Sequence, residues 1–248
     1  MKMHAPQKIQ AYLAGPDVFL PEPIEIGKLK KALLLRYDIE GHYPFDNELP
    51  KDESLKDPRQ LALTIAKGNE DMMSKCNVVF ANLMPWYGPG ADNGTTFEMG
   101  FMSARAMHDP NILIIGYYPD GIPEQFSDRI AKEVYDGKVK VNDKGYLVST
   151  ETGRSVESFG LQDNLMIVGA IQKTGGKIYS SLEEAAADVK NLLAEKQQKQ
   201  SVHPQEQPLA KKDGSTLWGY SLAKCSVVGA AAAAVGLVAY VARQKKYF

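Results

Sequence analysis

Residues 76–83 form an uncharged, mostly apolar run built around Val78, Val79, Phe80, Ala81 and Leu83. A run that is apolar on successive rather than alternate positions fits a strand buried on both faces, as in the centre of a parallel sheet clothed by helices. Residues 9–14 and 111–117 repeat the pattern, and the first run is closed by Gly15-Pro16, a turn signal. Between these runs lie helical spacings. Residues 25–37 place Ile26, Leu29, Ala32, Leu33 and Leu34 on one face. Residues 57–75 begin with Pro58 in a first turn and predict Leu61, Ile65 and Met72 as the inner face. A third helix is expected from about 94 to 108. Alternation of strand and helix implies an α/β chain with an open, mostly parallel sheet and helices on both faces.

The second half adds smaller pieces. Residues 137–149 read as a hairpin turning on Asn142, Asp143, Lys144 and Gly145. Residues 177–179 suit a short last strand, and residues 181–196 a last helix, with Ser181 and Glu184 as a capping box. Residues 197–217, rich in Gln, Lys and Pro, read as a flexible linker. Residues 225–242 then carry no charge. Lys224 precedes them and Arg243, Lys245 and Lys246 follow, so 218–248 is a candidate C-terminal apolar helix that spans a membrane, with a buried or amphipathic helix as the alternative. On this reading the chain is a folded domain at 8–196 facing the cytosol, tail-anchored to an intracellular membrane, and otherwise cytoplasmic.

Composition narrows the function. A formal net charge of −1 is unsuited to a nucleic-acid binder that neutralises backbone phosphates, so a small ligand is expected. Two cysteines, Cys76 and Cys225, are too few for a disulfide framework or a metal site, and neither a metal nor a cofactor is expected. The N-terminus runs almost directly into strand-like residues, without a secretory signal.

The segment 86–100 stands out because it joins a strand's carboxyl end to a helix, the edge of an open α/β sheet where ligands sit, and brings Asp92 and Glu98 there. In the first turns of that helix, free amides and the dipole would favour an ionised Glu98. Gly94 and Gly100 would let a ligand or backbone approach closely. The same features also fit an acid that only complements the dipole, and spacing alone leaves both readings open. Phosphate cradling is disfavoured, since Gly88, Gly90 and Gly94 miss the dinucleotide spacing and Asp92 would repel a phosphate. Tyr12, Gly15 and Phe19 reach the same sheet edge if the first strand is parallel, although Tyr12 and Phe19 could equally be core.

Tyr12-Leu13-Ala14-Gly15-Pro16 with Val18-Phe19, then Asp46-Asn47-Glu48, then Asp92 through Gly94-Thr95 and Phe97-Glu98 to Gly100, then Phe159-Gly160-Leu161 with Asn164-Leu165-Met166, follow one another in order. This series resembles the nucleoside 2-deoxyribosyltransferase family, closest to its protozoan-type members, over roughly residues 8–195. The resemblance implies a flavodoxin-like, Rossmann-like fold without a cofactor. It implies Glu98 as the nucleophile, Asp92 as an acid near sugar and base, and Tyr12 as the phenol that positions the glutamate. It also implies substrate contacts by Gly15, Phe19, Asp46, Asn69 and Gly94. Asn164 would reach a neighbouring subunit's site, so a homo-oligomer with shared sites follows, its partners being a 2'-deoxynucleoside and a nucleobase. Asn69 stands where many members have an aspartate, and an amide cannot donate a proton as an acid does.

The resulting expectation is transfer of the 2-deoxyribosyl group between bases through a glycosyl-enzyme ester, in nucleoside salvage. One alternative is hydrolysis of 2'-deoxynucleosides or their 5'-monophosphates. Another is a non-catalytic, membrane-tethered nucleotide- or flavin-binding module, which would be yellow if it held flavin.

Overall fold

A computed structural model describes residues 9–47 and 57–202. The chain order is β1 (Ile9–Ala14), α1 (Pro23–Leu35), β2 (Ile39–His42), α2 (Pro58–Lys75), β3 (Val78–Asn82), α3 (Asn93–Arg105) and β4 (Leu113–Tyr117). It continues with α4 (Phe126–Glu133), β5 (Val139–Val141), β6 (Leu147–Ser149), α5 (Leu165–Lys173), β7 (Ile178–Tyr179) and α6 (Leu182–Val202). Five strands pair in the order β2-β1-β3-β4-β7, all parallel. With the β5-β6 hairpin set aside as a separate antiparallel pair, this is the flavodoxin-like order, whose switch point lies between β1 and β3.

Strand periodicity divides the core in two. Ala11, Leu13, Val78, Phe80, Leu113 and Ile115 face one side and meet Leu34 of α1 and Leu182, Ala185 and Val189 of α6. Tyr12, Ala14, Val79, Ala81 and Ile114 face the other and meet Met73 of α2, Met99 and Met102 of α3, and Ile167 and Ile171 of α5. Alternate residues of a strand point to opposite faces, so Tyr12 is sent to the α3 side by its parity alone. Helix ends are closed by side chains. Asp57 caps α2 by accepting from Arg59 N at 3.0 Å, and Arg105 at the end of α3 donates to the Met73 and Cys76 carbonyls where α2 finishes.

Several expectations shift. The inner face of α2 centres on Met73, whereas Ile65 is 37% exposed, because the part of α2 around Ile65 borders an open pocket. β2, α4 and α5 were not anticipated as elements. α6 continues to Val202, through the first residues expected to be linker, since Glu, Gln and Lys are good helix formers that extend a helix already seated by Leu192. The rest of the expected linker and the apolar tail at 218–248 lie outside the described residues. Among the described residues no helix is long and apolar enough to cross a membrane.

Candidate active site

The site is built where α3 starts. Asp92 is the N-cap of α3: its Oδ2 accepts from Thr95 N at 2.9 Å and from the Thr95 hydroxyl at 3.2 Å. The cap fixes the helix's direction, and Glu98 follows in its second turn. Across the pocket floor, the Tyr12 hydroxyl donates to Glu98 Oε1 at 2.6 Å. β1 delivers that phenol and α3 that carboxyl, 86 residues apart in sequence.

Burial pushes the Glu98 carboxyl up to about 7; the Tyr12 hydrogen bond pulls it down and the negative charge of Asp92 raises it. This corrects the expectation that the helix start would favour the ionised form. One turn further into the helix the dipole is weak, and loss of water dominates. Tyr12 is itself raised, first by burial and then by the Glu98 charge, so it stays a donor.

Beside this pair lies a pocket of about 410 Å³, lined at one end by Asp92, Gly94, Thr95 and Glu98 and elsewhere by Gly15, Val18, Phe19, Phe45, Ile65 and Asn69. Gly15 is needed for close packing: a Cβ there would stand 2.5 Å from Asp17 Oδ2 and 2.7 Å from Asn82 Cβ. Asp17 anchors the Gly15 turn from below, paired with Lys30 at 2.5 Å and with the Asn82 amide at 3.1 Å. Phe19 stacks on Trp86 with centroids 5.8 Å apart, yet remains 61% exposed. The Asn69 Oδ1 is buried and without a hydrogen-bond partner, an acceptor in the pocket wall that nothing in the described residues satisfies.

Of the residues singled out from the sequence, Glu98, Asp92, Gly15, Phe19, Asn69 and Gly94 line this one pocket, and Tyr12 reaches it through Glu98. Two do not. Asp46 is taken up by its own turn at the surface: its Oδ2 accepts from Tyr43 N at 2.9 Å, closing the short turn Pro44–Asp46, while Oδ1 pairs with Lys31. Its neighbours Phe45 and Asn47 take the wall instead. Asn164 caps α5 through Met166 N at 3.0 Å and donates to Glu157 at 2.7 Å, and it is not among the residues lining its own chain's pocket. Pro44 and Phe45 are lining residues that sequence reasoning passed over, and Val18, Asn47, Ile65 and Thr95, named there only within a motif or on a helix face, line it as well. One signal was available for Asn47: Gly68 sits inside α2 where a Cβ would lie 1.9 Å from the Asn47 amide nitrogen, and a glycine in a helix interior marks such an approach.

Among the described residues, no three His, Cys, Asp or Glu side chains gather to hold a metal. The arrangement offers a buried carboxyl with one hydrogen-bond donor, a second acid beside it, and flat apolar walls suited to a heteroaromatic ring.

The sequence profile described as nucleoside 2-deoxyribosyltransferase matches residues 11–166. An uncharacterized protein of Schizosaccharomyces pombe is 29% identical over 199 residues, covering 76% of this chain and 91% of its own. The 2-desoxiribosyltransferase from Leishmania mexicana is 28% identical, covering 72% of this chain and 95% of its own with a TM-score of 0.49. A 2-deoxyribosyltransferase from Bacillus psychrosaccharolyticus is 19% identical, covering 48% and 81%, with a TM-score of 0.37.

Proposed function

The chain belongs to the nucleoside 2-deoxyribosyltransferase family, and from that premise we propose that it transfers the 2-deoxyribosyl group between nucleobases through an ester on Glu98, in nucleoside salvage. The observation that carries this reading is the Tyr12–Glu98 pair at the pocket wall, which presents one buried carboxyl oxygen in a fixed position.

In the first half-reaction the ionised Glu98 attacks the anomeric carbon. The bond from that carbon to the base nitrogen breaks through an oxocarbenium-like transition state, and its electron pair leaves with the base, which takes a proton from solvent, with Asp92 placed to relay it. In the second, the nitrogen of an incoming base attacks the same carbon, loses its proton, and releases the Glu98 carboxylate. The apolar walls of Val18, Phe19, Phe45 and Ile65 support a bound base and keep water from the ester. Tyr12 holds the carboxyl and lowers its proton affinity.

A nucleoside suits the pocket better than a nucleotide. Its described lining contains Asp92 and Glu98 but no Arg, Lys or His to face a 5'-phosphate. Asn164, which does not line its own chain's pocket and is flanked by the exposed side chains of Leu165 and Met166, supports a homo-oligomer in which it completes a neighbour's site.

The test is incubation of the purified protein with 2'-deoxyinosine and cytosine. Deoxycytidine formation that Glu98→Ala abolishes supports transfer. Free deoxyribose without deoxycytidine makes the protein a hydrolase, and no product from any deoxynucleoside or monophosphate overturns the reading.

A further inference from the structure

The segment joining β3 to α3 carries Asp92 at its end, yet few bonds within it hold it in place. Its own bonds are a single bridge between Pro85 and Ala91, with Trp86 N donating to Gly90 O at 3.0 Å, and it passes through Tyr87 at a φ of 53°. Tyr87 at its tip is 96% exposed. The hold comes from outside. Asp163, which is 0% exposed, accepts a hydrogen bond from the backbone N–H of Asn164 at 2.7 Å and lies beside the Gly90–Ala91 backbone, whose Ala91 N–H favours its charged form. Its Oδ2 lies 3.3 Å from the Tyr118 hydroxyl and 3.6 Å from the Arg129 guanidinium, and both of these donate more closely to the Gln162 carbonyl, at 3.0 and 2.6 Å. Gly90 packs into the same corner, where a Cβ would lie 3.6 Å from Asp163 and 3.5 Å from Phe126.

The Asn164 N–H and the Arg129 guanidinium face the Asp163 carboxylate as donors, so an amide of the same shape would set its own NH₂ against one of them. Arg129 is buried with it, its guanidinium 5.9 Å from the Tyr118 ring centre and 5.7 Å from that of Phe126. The Arg129 Nε and Nη1 are buried without partners. A buried ion pair that leaves two N–H groups unsatisfied is a poor way to stabilise a fold compared with apolar packing. Its geometry, though, ties four places together: the catalytic loop at Ala91, the end of β4 at Tyr118, α4 at Arg129, and the start of α5 at Asn164.

We propose that Asp163 is a positioning residue: held by Arg129 and Tyr118, it fixes the Ala91–Asp92 backbone, and thereby sets where Asp92 stands relative to Glu98. The proposal rests on the transferase reading for its catalytic consequence but not for its structural one. Asp163 touches no substrate; it acts through Asp92.

The experiment compares Asp163→Asn and Tyr118→Phe with the wild type by amide hydrogen exchange over residues 85–93 and 160–166, and by kcat and KM across pH. The expected result for Asp163→Asn is joint loss of protection at Ala91 and Asn164. A fall in kcat of about ten-fold to a hundred-fold should accompany it, with KM changing much less, because displacement of a reacting group by about 1 Å has costs of that size. The acidic limb of the pH profile should also move, since Asp92 contributes to the Glu98 proton affinity. Tyr118→Phe removes one hydroxyl and should show the same changes in weaker form, which keeps the proposal testable if Asp163→Asn fails to fold. Unchanged exchange at Ala91 in a folded variant overturns the clamp. Altered exchange with wild-type kcat and pH profile overturns its catalytic role. If the wild type transfers no deoxyribose at all, the functional reading has failed, and the exchange data still decide the clamp.

Discussion

Glu98 and Asp163 are both carboxyls raised by burial, and both bear on the segment between β3 and α3, but their surroundings are opposite. Asp163 accepts from the Asn164 N–H and is surrounded by the Ala91 backbone, the Tyr118 hydroxyl and the Arg129 guanidinium. Glu98 meets a single hydroxyl and stands beside another acid. Burial alone therefore does not distinguish a reactive carboxyl from a structural one. What does is the acceptor capacity left open: Asp163 uses its lone pairs on the protein, whereas Glu98 keeps one oxygen for a bond not yet made.

The comparison breaks most clearly at Glu98 itself. Glu98→Ala should lower transfer by roughly 10⁴-fold or more, as losses of a nucleophile do, while the melting temperature holds or rises. Retained activity would remove Glu98 from the chemistry. The reverse pattern is expected at Arg129→Met, which leaves the Asp163 charge buried without its cation. Breaking such a pair costs about 3–5 kcal/mol, readable by urea denaturation, and a loss under 1 kcal/mol would mean that the donors alone carry Asp163.

Tyr12→Phe sharpens the contrast with a smaller effect. Glu98 must be ionised to attack, so kcat/KM should rise with pH through about 7 in the wild type. Removing the hydroxyl removes the influence that lowers the Glu98 proton affinity. The acidic limb should therefore move to higher pH, and activity at pH 6 should drop more than at pH 8. A limb that stays in place would show that Tyr12 does not act on the carboxyl. The smallest effect is expected far from both groups, at the exposed Lys138–Glu151 pair beside the hairpin. Lys138→Ala should change stability by less than about 1 kcal/mol and leave kcat unaltered.

Much of this was legible in the sequence because it follows from periodicity. The buried runs marked β1, β3 and β4, though not β2, and parity along β1 sends Tyr12 to the α3 face while Leu13 goes to the other. The loop motif located Asp92 and Glu98. α4 stayed hidden because its octet places Ser127 and Arg129 inward, so its buried face is polar where an apolar stripe would be the signal. Asp163 was passed over for the same reason: before an N-capping asparagine an aspartate looks like any polar residue, and its role exists only once Tyr118, Arg129 and Ala91 converge on it. The proton affinity of Glu98 was misjudged because helix position is a local property, whereas desolvation depends on what the fold packs around the carboxyl.

The raised Glu98 carboxyl also has a thermodynamic side. In the unfolded chain it ionises near 4.5, and in the folded protein near 7. Between those values the unfolded state releases its proton first, so as pH climbs through that window the native state loses about 3 kcal/mol relative to where it stood in acid. Nothing more is lost above the folded value. With respect to this one residue, the protein is at its firmest with the proton on, where the carboxyl cannot attack, and at its least firm with the proton off, where it can.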